Sequence, residues 1–279
     1  MPPRKPSRSP LAPSERKRLR AARARAPQHP AAPESRMRHA MVQLFRDFHR
    51  QAMRAVLDVA PAHAEHRKHQ RGDSDETPSR PRHSVFESLW TSALMLLHQS
   101  PYSRMIAEAA AKTGDSATAQ TKKAVAAEEL DPDYSGDVAA FSDRVMKGTA
   151  DFLDRDLECM EDVLQGWDGE DIDELEDQLG EKQAGTSGSA VSWIEMAFAE
   201  LFANTVRTAQ LEAGVGRGTW LSQRDSHVRP AHLALDGIEH DLDEKLLKAE
   251  DADKGEDCFE GSDYNCRCVC SLSLPDEEQ

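Results

Sequence analysis

The sequence predicts an α+β protein: mostly helical N-terminal and middle regions with a small C-terminal α+β module. Three observations carry that prediction. Apolar residues recur at helical spacing over 36–60, 84–100, 137–164 and 189–213. The period changes after Gly214, Gly216 and Gly218, where TWLSQ (219–223) has the β-branched and aromatic content of a strand. NCRCVCSLSL (265–274) alternates small apolar with polar residues and reads as a last strand, pairing with TWLSQ.

Composition bounds what the chain can bury. Of 279 residues, 38% are hydrophobic and 30% charged, so a sizeable part cannot join a core. The net charge of −15 hides a split. Residues 1–82 hold 19 Lys and Arg against 8 Asp and Glu, whereas the remainder holds 16 against 42. A basic head on an acidic body suits an arm that meets an anionic partner, and it equally suits a solvated tail. The first 30 residues lack an apolar leader core, and the apolar run from Ser88 to Ser103 is too short and polar to span a membrane. The expectation is a soluble protein made in a reducing cytoplasm, where cysteines do not need to pair.

In chain order, residues 1–35 are rich in Pro, Arg, Ala and Ser and are expected to be a disordered basic arm. Arg16, Lys17, Arg18, Arg20, Arg23 and Arg25 are its candidate nucleic-acid contacts. Residues 36–83 hold a basic amphipathic helix and a linker. The helix has Met37, Met41, Leu44, Phe45, Phe48, Met53, Val56 and Leu57 as its apolar face. Residues 84–188 form a helical middle region. Ser84 and Glu87 have capping-box spacing, and Pro101 ends or kinks the first helix. A further helical piece covers about 102–112, and 113–136 ends in a loop. Asp137 caps a long helix to Leu164, with Val138, Phe141, Val145, Phe152, Met160 and Val163 inside and an acidic outer face that includes Asp156. Cys159 sits one position off the inner stripe. Asp171–Leu179 reads as a short helix and GEKQAGTSGS as a flexible turn.

The module at 189–274 opens on the most apolar helix, with Val191, Ile194, Phe198, Leu201, Phe202, Val206 and Leu211, ended at Gly214. Pro230 favours the first turn of a short helix, PAHLAL, which Asp236-Gly237 closes. Residues 239–263 read as an acidic insert or lid, and 275–279 as a tail.

Two constellations carry chemistry. Asp225, Arg229 and His232 offer a carboxylate, a guanidinium and an imidazole within eight residues. They suit a charge-assisted structural latch, and the same groups serve acid–base catalysis where a nucleophile or metal is at hand. His232, Cys258, Cys266 and Cys268 make up a Cys3His set for zinc, and a strand would bring Cys270 to the same face. Packed free thiols are the alternative. No phosphate-binding P-loop, dinucleotide fingerprint, serine-hydrolase elbow or zincin helix is present.

Trp220, Asp225, Val228, Arg229, His232 and Gly237, followed by Asn265, Cys266, Arg267 and Cys268, resemble the C-terminal domain of the phage head morphogenesis family, the MuF-type minor head proteins of tailed viruses. The likeness covers about 190–272, that is, the module at 189–274. It implies a central helix directly before the Trp anchor, and a structural motif formed by those residues. It implies a virion component that acts in capsid assembly and DNA packaging near the portal. Its partners would be the portal and the major capsid or scaffold protein, with DNA met through the arm and no membrane. It implies no catalysis and no cofactor, with zinc the exception that the extra cysteines Cys258 and Cys270 raise. The protein would reside in the head interior or at the portal, and in the host cytoplasm during assembly. The competing class is a zinc-dependent hydrolase or nuclease using His232, Asp225 and the cysteines.

Overall fold

The computed structural model describes residues 14, 17, 19–20, 22–23, 26–28, 30–70, 84–99, 101–125, 131–222, 228–246, 259, 266 and 268–272. It is mostly helical, with a small antiparallel sheet of three strands near the C-terminus, as the sequence predicts. The helices with described bounds are α1 (Ala31–Gln70), α2 (Ser84–Gln99), α3 (Tyr102–Val125), α4 (Ser135–Gly166), α5 (Ile172–Glu212) and α6 (Pro230–Leu235), and residues 14, 17, 19, 20, 22 and 23 of the N-terminal arm are helical as well. The strands are β1 (Arg217–Leu221), β2 (Glu239–Asp241) and β3 (Val269–Leu272). None of these helices is long and apolar enough to cross a membrane. The chain divides into two compact units that interleave along the sequence. One comprises Ser35–Ile106 and Ser142–Ile194, and the other Met1–Glu34, Ala107–Phe141 and Glu195–Gln279.

The unit containing most of α1 is an all-helical core. Met37, Met41, Leu44, Phe48, Ala52, Val56 and Ala60 are buried at steps of three and four residues. Ala52 and Ala60 take the buried positions where Met53 and Leu57 were expected. Both larger residues are only half-buried. Phe86, Leu89 and Leu97 of α2 are buried as expected, as is Met160 of α4. The inner stripe of α4 runs through Leu153, Leu157 and Leu164, while Phe152 and Val163 are half-buried beside it. Phe152 packs instead on Trp193, with ring centroids 5.9 Å apart. Asp156 departs from its expected place on the wet acidic face. It is buried against the equally buried His49, whose Nδ1 lies 3.4 Å from its Oδ2.

Several helices outrun their sequence limits. α1 continues past Pro61 to Gln70, and α3 runs to Val125 instead of stopping near 112. The expected turn at 180–189 is absent. Asp171 accepts the backbone N–H groups of Asp173 and Glu174, and the helix it starts runs unbroken to Glu212. Three glycines cost such a helix roughly 1 kcal/mol each, which packing at its two ends overrides. Buried Leu175 and Leu179 hold one end, and buried Ile194, Phe198, Phe202 and Val206 the other.

The stop at Gly214 is where the sequence puts it. Gly214 has φ +75, its N–H donates to the Leu211 carbonyl, and the Val215 N–H reaches back to the Gln210 carbonyl. This is a Schellman closure, and it turns the chain directly into β1. β1 is the middle strand, in the order β2-β1-β3, and both pairings are antiparallel. Pairing of the Trp220 strand with the cysteine strand is therefore borne out, with Trp220 opposite Cys270. β2 is a strand that the sequence reading assigned to the acidic insert. It places His240 opposite Gly218.

Gly218 sits where a side chain has no room. A Cβ there would overlap the Cys270 thiol, and would lie 2.8 Å from Leu242 and 3.2 Å from the Ser271 carbonyl. A Cβ at Gly216 meets nothing within 4 Å. Gly218→Ala should therefore destabilise the protein by about 1–3 kcal/mol, the usual cost of forcing atoms into a packed site. Gly216→Ala should change stability far less. Denaturant titration of both variants checks this, and equal losses would contradict the packing described.

Candidate functional site

The C-terminal unit is built around Trp220. A strand of five residues cannot cover an indole, yet Trp220 is fully buried. Its cover comes from Cys266 and Cys268, with Ala231 and Leu235 of α6 and Leu246 packed against the same cluster. Two imidazoles flank the ring. His232 meets it edge-on at 6.0 Å and His240 lies tilted at 6.3 Å.

α6 exists because Pro230 supplies a fixed φ at its first position, after Arg229 in an extended conformation (φ −65, ψ 151). The Arg229 carbonyl accepts from the Leu233 N–H, so the residue acts through its backbone at the helix start. One turn later His232 is the buried residue of the helix, aimed at the cysteines. Cys266 Sγ lies 3.3 Å from His232 Nδ1, and Cys268 Sγ lies 3.6 Å from the same nitrogen. The three ligand atoms lie within 4.8 Å of one another. The Cys268 N–H also donates to Cys266 Sγ at 3.4 Å.

These contacts favour a thiolate at Cys266. Its titration falls from the ordinary 9.0 to about 5. The hydrogen bond from the Cys268 side chain is the largest cause. Burial opposes it, and the hydrogen bond and charge of His232 add to it. The sign follows from linkage. Stability from this thiolate is fully present above the ordinary thiol range and is lost as pH falls through about 5.

Cys270 does not join the cluster. Its thiol packs over Gly218 and donates to the Ser271 carbonyl at 3.7 Å. Cys270 lies in regular β3 opposite Trp220, whereas Cys266 and Cys268 precede that strand, which begins at Val269. Cys159 is half-buried, as its position off the stripe implied. Asp225, Cys258, Asn265, Arg267, Arg16, Arg18 and Arg25 lie outside the described residues, so the proposed latch between Asp225 and Arg229 does too.

A different ionic clamp is present, and the sequence reading missed it. Asp236, buried within the Asp-Gly turn, accepts the Ser222 N–H at 2.9 Å and forms an ion pair with Arg23. Arg23 also donates to the Ser222 carbonyl at 3.1 Å, and Ser271 Oγ donates to the neighbouring Ala22 carbonyl at 2.8 Å. Arg23 was a candidate DNA contact, and here its guanidinium is engaged within the protein. Lys17 and Arg20 remain exposed. Local pattern identified Asp236 as a turn residue, but a partner 213 positions away leaves no local signal. Arg207, read only as a polar break in α5, places its guanidinium 3.6 Å over the Phe259 ring.

Fold and site together define a largely helical protein with a small antiparallel sheet that buries a His–Cys–Cys cluster under one tryptophan. No protein-family model matches the sequence, and no curated protein or solved structure does.

Asp236→Ala removes the acceptor of a buried Ser222 N–H and the partner of Arg23. The expected loss is about 1–3 kcal/mol for the orphaned backbone group alone. Asp236→Asn keeps an acceptor oxygen and should recover part of it. Chemical denaturation of both variants measures this, and an unchanged midpoint for Asp236→Ala would contradict the clamp.

Proposed function

We propose that the protein is a structural minor head component of a tailed virus, acting in head assembly near the portal. One observation carries the reading. Trp220, His232, Cys266 and Cys268 are positions on which the likeness to MuF-type proteins rests, and they meet in one buried cluster. The helix that the likeness implies directly before the Trp anchor corresponds to α5, which precedes β1. A motif whose members serve a common core is a structural motif, which suits an assembly protein better than a catalyst.

The alternative of a zinc-dependent hydrolase or nuclease needs a site that a substrate can reach. His232, Cys266 and Cys268 are each only 3–4% exposed, which favours the structural role. The charge split supports two further parts of the proposal. The basic head, including exposed Lys17 and Arg20, meets packaged DNA or an acidic scaffold through phosphate or carboxylate contacts. The acidic body is repelled by DNA and docks on protein: the portal, the major capsid protein or the scaffold.

The test is co-expression with the portal, scaffold and major capsid proteins of the same virus, followed by gradient sedimentation of the assembled heads. The protein should sediment with heads that contain portal. A variant with Arg16, Lys17, Arg18, Arg20 and Arg25 changed to Gln should still enter heads but lose salt-sensitive DNA retention. Protein left entirely at the top of the gradient would overturn the proposal.

A further inference from the structure

Two sulfurs approach a single nitrogen, Nδ1 of His232, at 3.3 and 3.6 Å. Both sulfurs are buried under Trp220 among Ala231, Leu235 and Leu246, and the three ligand atoms lie within 4.8 Å of one another.

A cation in the middle would meet all three ligand atoms at once. Zinc bonds thiolate sulfur at about 2.3 Å and imidazole nitrogen at about 2.0–2.1 Å, in tetrahedral array. Those bonds set sulfur and nitrogen about 3.6 Å apart and two sulfurs about 3.8 Å apart. The observed sulfur–nitrogen separations of 3.3 and 3.6 Å, and a group spanning less than 4.8 Å, match the edges of such a tetrahedron. The ligand types fit as well, since two thiolates and an imidazole are a borderline-soft set suited to zinc. The Cys268 N–H aimed at Cys266 Sγ is a donor that steadies a bound thiolate.

We propose that His232 Nδ1, Cys266 Sγ and Cys268 Sγ bind one zinc ion, which cross-links α6 to the segment entering β3. Three protein ligands leave one coordination position to a further donor. Two thiolates balance the dication, and the proton that Cys268 carries leaves on binding. Cys270 and Cys159 take no part. The role is to staple a module whose sheet has strands of only three to five residues. The ligand geometry carries this independently of any role in head assembly.

The experiment uses the full chain, purified under reducing conditions without chelator and analysed for metal after gel filtration. About one zinc per chain is expected. Cys270→Ser and Cys159→Ser should keep it, whereas the double variant Cys266→Ser, Cys268→Ser should fall to background. Should the double variant fail to fold, cobalt exchanged into the unaltered protein decides. Thiolate-to-cobalt charge transfer with the intense visible bands of a tetrahedral ion is the expected spectrum. A protein that stays metal-free after zinc is added back, whose melting ignores chelator, would overturn the assignment. So would zinc retained by a folded double variant, zinc lost in Cys270→Ser, or a cobalt spectrum without sulfur charge transfer.

Discussion

Burial of Trp220 is the constraint on which the C-terminal unit depends. Its indole has no exposed surface, yet it stands on the middle strand of a sheet too small to enclose it. Burying an aromatic of this size stabilises a fold by a few kcal/mol, but only where other elements close over it. Here they come from two distant places. α6 brings His232, Ala231 and Leu235 from ten to fifteen residues downstream, and the approach to β3 brings Cys266 and Cys268 from beyond the acidic stretch. The tryptophan therefore dictates where the histidine and cysteines meet. The site is a consequence of core formation, which explains why its chemistry is sheltered from solvent.

The same logic explains the turn that follows α6. The Gly237 N–H donates to the Trp220 carbonyl, and the Trp220 N–H donates to the Ile238 carbonyl, both at 2.8 Å. The backbone on both sides of the indole is thus bound to the turn. Gly237 reaches this with φ +82, a conformation that a side chain disfavours. Asp236 uses the same turn to hold Ser222 and Arg23, so the end of β1, the helix turn and the N-terminal segment share one carboxylate. By contrast, the ion pair of Arg217 with Asp241 at the sheet edge is exposed on both sides and adds little.

Much of this was legible in the sequence, for identifiable reasons. The helices showed as periodic burial, the Gly214 stop as punctuation, and PAHLAL as a proline-led turn. Pairing of the tryptophan and cysteine strands also followed from pattern. What escaped was set by tertiary context. The glycine- and serine-rich stretch at 180–189 stays helical because both flanks are packed. Asp156 looked like one more surface acid, until α1 brought His49 to it. Cys270 shares the spacing of its neighbours but fills the space left by Gly218. His232, Cys266 and Cys268 were picked out as a set. Their convergence on a single nitrogen was not readable from spacing, because it depends on α6 bringing His232 from a distant part of the chain.

The central claim is that the His–Cys–Cys cluster under Trp220 holds this unit together. Amide hydrogen exchange at Trp220, Gly237 and Leu242 tests it most directly, because all three N–H groups donate to backbone carbonyls within the unit. Exchange is compared between the unaltered protein and the Cys266→Ser, Cys268→Ser double variant. The three amides should be strongly protected in the unaltered protein and lose that protection together in the variant. Protection that survives the double substitution unchanged would contradict it.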